Sequence, residues 1–366
     1  MLRRKSPKKQ TPRFAMDRAD VFARGVGAAN VLLRYYGIDV RKALDPLNER
    51  DFDVIIFRLG KDLNKAGLPE EVALRKAIDQ LDVDWATLTP AGRNRIIDAA
   101  QRTVAGSVTK VLPRANNVLE VESKMIVGET RKSVKRTYDF NIATQTTALD
   151  KRIADFAATS QSNFITNSLG DRSEVFSAQA RGIVANGLEQ GLGRDDIAER
   201  MEKKLLPDSL ARKRSYWPVV SGSFSNRART FGQLSSYTDA GISQYVFESV
   251  LDEATTDVCR FMHGKRFSVS SGLSKLTEVE ELEDPAAVKD SQPWARTRVL
   301  DGGGQEIQYK SGGQSFRVAT IDRSAVGRSN AIGSFSNGLS GSQLQSAGIT
   351  MPPLHGLCRS TVVPEI

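Results

Sequence analysis

Apolar residues recur at helical spacing through the first two-thirds of the chain. One such stripe runs through residues 18–36, and a second covers 51–65. The segment that opens at Pro69 carries Glu70 and Glu71 in its first turn, where the helix dipole favours acids. The pattern therefore predicts a series of amphipathic helices separated by proline and glycine.

Capping signals predict the helices that follow. Thr89-Pro90 is a capping hydroxyl followed by proline at the first helical position, and the apolar stripe after it is predicted to end at Pro113. Residues 118–168 contain no proline, which favours one or two long helices there.

A helix, a turn and a second helix are predicted for residues 173–206. Glycines at 191 and 193 form the turn, and Pro207 is expected to follow the second helix. Residues 208–240 are predicted to be helical with an interruption at Pro218. The basic residues of this stretch are interpreted as a solvated face; they are Arg212, Lys213, Arg214, Arg227 and Arg229.

A two-helix unit with a glycine turn is also the form of a DNA-reading motif. Its second helix, however, carries four acids that would repel phosphate: Asp195, Asp196, Glu199 and Glu202. We interpret the unit as an αα-hairpin used for packing.

The period of the pattern changes near residue 241. Residues 242–250 alternate as a strand does, and further short strands are predicted at 266–269, 306–310, 317–321 and 360–363. Residues 301–347 are rich in Gly and Ser and are predicted to form a long, mobile excursion. The fold class is thus mainly α, with a long-helix body followed by a small α+β C-terminal domain that contains this excursion.

Four regions follow from these patterns. They are a basic flexible arm (1–16), a helical N-terminal domain (17–150), a helical segment (151–241) and an α+β C-terminal domain (242–366). The last contains both cysteines and both histidines of the chain.

The charge of the chain is concentrated in the arm. The net charge is +9, and six basic residues with no acid stand in the first 14 positions. A flexible cationic segment of this kind is suited to non-specific contact with double-stranded DNA, and the alternative is a solvated tail without a dedicated partner. The candidate DNA contacts are Arg3, Arg4, Lys5, Lys8, Lys9 and Arg13.

Hydropathy and cysteine usage exclude some protein classes. The basic start is not followed by an apolar signal core, and no stretch approaches the ~18 apolar residues of a membrane helix. Two cysteines exclude a disulfide framework. We therefore expect no membrane partner for the free protein, and synthesis and assembly in the cytoplasm.

The cysteines and histidines fall into two pairs, Cys259-x3-His263 and His355-x2-Cys358. Acids at 252–257 indicate a helix start, which would put Cys259 and His263 on one helical face. Two sulfur and two nitrogen ligands match a closed, tetrahedral, structural Zn²⁺ site. A disulfide, or a packed cluster whose histidines bind backbone, are the alternatives.

Three segments around these pairs resemble a known family. They contain a D-x-x-T-x-x-x-C segment, a following G-x-x-F, and P-P-x-H-x-x-C-R near the C-terminus. Together they are similar to the signature of the phage Mu F-like head-morphogenesis domain, over about residues 150–366. The matching positions are Asp252, Thr255, Cys259, Gly264, Phe267, Pro352, Pro353, His355, Cys358 and Arg359.

Two further segments match and two features depart from the family pattern. Arg229-Thr230 and the helix turn at 191–205 stand where family members have similar segments. The segment before the last motif is longer than is usual, and Ser360 replaces a common second cysteine. A cysteine-rich site is therefore not implied.

The resemblance implies a minor head protein of a bacteriophage, located in the virion at or near the portal and in the host cytoplasm during assembly. The implied partners are the portal protein, capsid or scaffold components, and packaged DNA or its delivery. A non-enzymatic role is expected. The alternative function is a metal-dependent nuclease or hydrolase that uses the Cys/His residues, for which Asp252 or Glu253 would have to be the base.

Overall fold

The computed structural model describes residues 44–281, 294–311 and 314–366. The arm, its six candidate DNA contacts and the helix expected at 18–36 lie outside these residues. The mainly α fold with a small C-terminal α+β part is confirmed.

The helical body begins with α1 and continues through five further helices. Asn48 caps α1 by accepting a hydrogen bond from the Asp51 N–H, and Thr89 caps α3 through the Gly92 N–H. These caps satisfy otherwise unpaired N–H groups, and α3 begins at Pro90, where the sequence predicts a helix start. Their bounds are α1 Glu49–Ala66, α2 Leu68–Gln80, α3 Pro90–Ala105, α4 Val108–Tyr138, α5 Ala148–Glu189 and α6 Arg194–Asp239.

Three prolines expected to end or interrupt helices lie inside them instead. Pro113 is within α4, and Pro207 and Pro218 are within α6, so these three predictions are wrong. Helix α3 ends earlier, at Gly106. Pro113 and Pro207 are exposed, so water can satisfy the carbonyls that each proline leaves unbonded, and packing of the long helices offsets the remaining cost.

Helices α5 and α6 form the predicted αα-hairpin and hold two hydrophobic cores. At 42 and 46 residues they extend about 63 and 69 Å. Near the hairpin turn they pack with α2 and α3 around a distal core, which includes Leu74, Trp85, Ile97, Phe176 and Met201. Towards the other end they pack with α1, α4 and the C-terminal strands around a central core, which includes Leu59, Leu119, Phe156, Phe224 and Tyr245.

Residues 220–237 of α6 are buried on every side. Arg227 and Arg229 belong to this stretch, so the interpretation of these two arginines as a solvated face is wrong. Arg227 donates to Ser160 Oγ at 3.1 Å, and burial lowers its pKa to about 10. Frequent Ser, Gly and Ala in this stretch permit close approach of neighbouring elements.

Two antiparallel sheets follow α6. In the first, β1 (Gln244–Glu248) lies between β2 (Arg266–Ser268) and the C-terminal β7 (Thr361–Pro364). The second has the order β3-β4-β5-β6, with bounds Ala295–Val299, Gln305–Ser311, Gln314–Arg323 and Ser334–Ser336. Short helices α7 (Asp257–Met262), α8 (Val269–Glu280) and α9 (Gly341–Ser346) accompany the strands.

The Gly/Ser-rich segment 301–347 is structured, contrary to the expectation of a mobile excursion. Its described residues form β4, β5, β6 and α9. Gly303 has φ +79° in the tight turn between β3 and β4, a conformation that favours glycine. Much of the glycine content therefore serves turns of a meander, and alternation of apolar residues along β4 and β5 supplies the buried face.

Residues 44–366 form one compact unit. The boundaries expected at 150 and 241 lie near the start of α5 and between α6 and β1, and as domain boundaries they stay predictions. Among the described residues, no helix is long and apolar enough to cross a membrane.

Candidate metal centre

Helix α7 positions the first cysteine of the site. Thr256 caps the helix by accepting from the Cys259 N–H, and Asp257 is the first helical residue. The helix therefore begins five residues later than the acid at 252 suggests. Cys259 lies in its first turn and is 2% exposed.

The second cysteine, Cys358, lies on the segment that precedes β7. A cis Pro352–Pro353 peptide precedes His355, and both prolines are buried. Asn226 of α6 donates its amide to the Cys358 and Ser360 carbonyls at 2.6 and 3.1 Å. This side chain holds Cys358, which is fully buried, against the central core.

Cys259, His355 and Cys358 bring their ligand atoms within 4.8 Å of one another, and this group could hold a metal ion. The two Sγ atoms are 3.8 Å apart, and Cys259 Sγ is 3.1 Å from His355 Nε2. A tetrahedral Zn²⁺ with Zn–S bonds of about 2.3 Å requires an S···S separation of about 3.8 Å. Both thiols are free, so the disulfide alternative is not the observed state.

The two thiols differ in pKa although they lie side by side. The hydrogen bond with Cys358 lowers the pKa of Cys259, whereas burial raises the pKa of Cys358 well above its ordinary range. The first proton therefore leaves Cys259, whose thiolate accepts from the neighbouring S–H. The second thiolate requires a cation in the same place, such as a bound metal.

His263 is not part of this group. It is the C-cap of α7, and its ring Nδ1 accepts a hydrogen bond from the Ser249 N–H at 3.1 Å. Three of the four expected ligands are therefore close enough to share a metal ion, and His263 is not among them. The i, i+4 argument does not hold because α7 ends at Met262, so His263 has left the helical face.

The first and last residues of the sequence motif form an ion pair beside the metal-ligand group. Arg359 Nη2 pairs with Asp252, and Arg359 Nη1 lies 3.2 Å from Glu49 of α1. Thr255 also donates to Asp252 Oδ1, at 2.8 Å. Burial favours the neutral acid, but the bonds from Arg359 and Thr255 outweigh it, and the pKa of Asp252 falls below its ordinary value.

Two other motif residues support the strands next to the site. Gly264 has φ +80°, which favours glycine, and its N–H donates to the Phe247 carbonyl. Phe267 is buried in β2, with its ring 5.9 Å from that of Tyr245. Both residues therefore fix the turn and strand that follow α7.

Helix α6 holds the C-terminal segment through polar side chains, of which Arg229 belongs to the family-like Arg229-Thr230 segment and Asn226 and Gln233 do not. Arg229 donates to the Ser360 carbonyl at 2.8 Å, and its guanidinium lies 3.5 Å above the ring of Phe52. Gln233 donates to the Val362 carbonyl at 2.7 Å. The available signal was their spacing: Arg229 stands three residues after Asn226 and Gln233 four residues after Arg229, which places all three on one helical face.

Buried Arg260 of α7 fixes the loop that follows β5. Its guanidinium donates to the carbonyls of Thr255, Asp252, Arg328 and Ala331. The carboxylate of Asp257 accepts from Ser324 Oγ at 2.8 Å in the same region. Helix α7 is thus bound to the loops on both of its sides, which keeps Cys259 in place.

A small cleft of about 240 Å³, including its open mouth, adjoins the metal-ligand group. Thr256 Oγ1 lies in it, 3.2 Å from His355 Nε2. The lining residues are Val250, Ala254, Thr255, Thr256, Cys259, His355, Leu357, Arg359 and Ser360. A metal held by three protein ligands could receive its fourth ligand from this cleft.

No family model, curated protein or solved structure matches the chain. The resemblance to the head-morphogenesis family therefore rests on the motif residues described above.

Proposed function

We propose that the chain is a minor head protein of a bacteriophage, with a structural role in head morphogenesis. It associates with the portal and with capsid or scaffold components, and it contacts packaged DNA or assists its delivery. Its place is the phage head, after assembly in the host cytoplasm.

One observation carries the proposal: the separated motif segments converge. Asp252 and Arg359 are the outer residues of the motif, 107 positions apart, and they form an ion pair beside Cys259, His355 and Cys358. A chance similarity of three short segments would not require their side chains to share one cluster. The long-helix body, which carries no cofactor motif in its sequence, suits a structural component.

Co-expression with head proteins tests this role. The chain is produced with the portal, scaffold and capsid proteins of the same phage, and the procapsids are purified by sedimentation. We expect the wild-type chain to co-sediment with particles that contain the portal and to be retained on an immobilised portal. Failure on both counts, with a folded chain, would contradict the proposal.

We further propose that the metal is Zn²⁺ and that it is structural. Two cysteine sulfurs and one imidazole nitrogen are ligands that zinc prefers, and the 3.8 Å S···S separation fits tetrahedral coordination. Bound zinc would join α7 to the segment before β7 and leave one position for a small ligand. Thr256 caps the helix that carries Cys259, and Asn226 holds the other half of the site by donating to the Cys358 carbonyl.

Elemental analysis of the purified full chain tests the zinc proposal. We expect about one zinc per chain, its loss in His355→Gln and in Cys358→Ser, and its retention in His263→Gln, the matched control. The control removes an imidazole that bonds to backbone 14 residues away in sequence. Zinc-free wild-type protein would exclude the metal, and loss in His263→Gln would restore a four-ligand site.

A metal-dependent nuclease or hydrolase is the second candidate, favoured by the three-ligand set and the adjacent cleft. A catalytic zinc also needs a general base. Asp252 is held by Arg359 and Thr255, and the described cleft lining contains no carboxylate. Cleavage of DNA or a phosphodiester by the zinc-loaded chain, abolished in His355→Gln, would favour this candidate over the structural role.

A further inference from the structure

The outer face of the second sheet carries a group of basic side chains. Arg296 of β3 is paired across the sheet with Gln308 of β4, which is paired with Arg317 of β5. Arg298 and Lys310 each stand two positions from a member of this row. Cross-strand partners and residues two apart share a sheet face. We call Arg296, Arg298, Lys310 and Arg317 the cationic face.

Burial of the other side of the sheet directs this face to solvent. Ala295, Ile307, Tyr309 and Ile321 alternate with the basic residues and belong to the central core. All four residues of the cationic face are exposed. A bulge at Val318 of β5, opposite Ile307 and Gln308, leaves both Val318 and Ala319 buried. Arg317 therefore points to the same face as Gln308.

These cations outnumber the acids near them in the described part of the chain. None of the four forms an ion pair or side-chain hydrogen bond there, whereas many other exposed arginines do, such as Arg194 with Asp82. Two carboxylates lie close to these cations. Glu306, the cross-strand partner of Arg298, accepts from Gln308 at 2.5 Å, and Asp322 accepts from Ser336 at 2.6 Å. Four cations beside two carboxylates leave the cationic face with a net positive charge, which suits an anionic partner.

We propose that the cationic face binds the phosphate backbone of double-stranded DNA. Neighbouring strands are about 4.8 Å apart and alternate residues of a strand about 6.7 Å apart, so the four charges occupy a patch of roughly 10 by 13 Å. Arginine matches phosphate in a bidentate manner. The described face has no exposed aromatic side chain on which the bases of a single strand would stack, which favours a duplex.

This contact is sequence-independent and lies about 280 residues along the chain from the basic arm. It rests on the proposed function only for the choice of double-stranded DNA. A protein that meets packaged DNA through two separate cationic elements could hold it without reading its sequence.

Binding of the full chain to a random-sequence duplex, measured from 50 to 200 mM salt, tests the inference. Each phosphate contact contributes about 0.9 to the slope of log Kobs against log salt. We expect neutralisation of all four charges to reduce the slope by about 3.6 and to weaken binding at least tenfold. The variant is Arg296→Gln, Arg298→Gln, Lys310→Gln and Arg317→Gln. The control has the same change in net charge on exposed helix positions: Lys61→Gln, Arg102→Gln, Lys110→Gln and Lys124→Gln.

An unchanged slope in the face variant would overturn the inference, as would equal losses in the face and control variants. Tighter binding of the wild type to polyglutamate than to DNA, lost in the face variant, would assign the face to an acidic protein instead. Circular dichroism confirms that both variants are folded. Because this assay needs no portal, its failure leaves procapsid association intact, and failure of that association leaves the slope difference intact.

Discussion

At the scale of residues, the Asp252–Arg359 pair joins the two ends of the motif. The two cysteines and two histidines of the chain stand in two short segments, and this pattern predicted that they are neighbours. The structure brings Cys259, His355 and Cys358 together. His263 could not be excluded from the sequence, because its exclusion depends on a helix that ends one residue earlier. Asn226 was missed and Arg229 was interpreted as part of a solvated face, because a buried polar helical face resembles a solvated one until its neighbours are known.

A double-mutant cycle measures the Asp252–Arg359 interaction. We expect Asp252→Asn and Arg359→Gln to show a coupling of about 1 kcal/mol in the free energy of unfolding, since the pair is partly shielded from water. The exposed Glu199–Lys203 pair of α6 is the control and should couple by less than about 0.5 kcal/mol. Equal coupling in the two cycles would show that the motif pair has no special role in stability.

The depressed pKa of Asp252 predicts a loss of stability in acid. Its ordinary value is 3.8, and the folded value is lower, so the stabilisation is present above about pH 4 and is lost as the pH falls through the folded value. Urea midpoints of the wild type and Asp252→Asn, measured with a chelator present, should therefore converge below that pH. A constant difference between pH 7 and pH 3 would contradict the assigned cause.

At the scale of elements, helix starts were easier to predict than helix ends. Thr89-Pro90 and the acids after Pro69 act locally, and the helices begin at Pro90 and Leu68. Pro113, Pro207 and Pro218 were misread because their cost of about 3 kcal/mol each is offset by packing along α4 and α6, a tertiary effect. Within 301–347 the strands predicted at 306–310 and 317–321 lie inside β4 and β5, whereas the glycine-rich turns between them were misread as a mobile excursion.

Asn226→Ala tests how α6 holds the C-terminal segment. The substitution removes two buried hydrogen bonds to the Cys358 and Ser360 carbonyls, and we expect it to cost about 1–3 kcal/mol of unfolding free energy. Thr238→Ala is the control, because the exposed Thr238 bonds only to Leu234 of the same helix. It should change stability by less than about 0.5 kcal/mol. A smaller loss of stability in Asn226→Ala than in the control would show that the Asn226 hydrogen bonds do not support the site.

At the scale of the whole molecule, two very long helices connect a distal helical core to the core that carries the sheets. The fold class was predictable because the spacing of apolar residues changes once, from helical spacing to strand alternation near residue 241. The packing of residues 44–366 into one unit was not, since it depends on the polar, fully buried stretch of α6. A head protein built in this way would present helical surfaces to other subunits and its motif cluster at the junction of helices and sheets.

Quantitative mass spectrometry compares procapsids assembled with the wild-type chain and with the Asp252→Asn/Arg359→Gln variant. We expect the wild-type chain in few copies per particle, in proportion to the portal. We expect a reduced copy number for the variant, because its motif cluster is weakened. Absence of the folded wild-type chain from portal-containing particles would show that it is not a phage head protein.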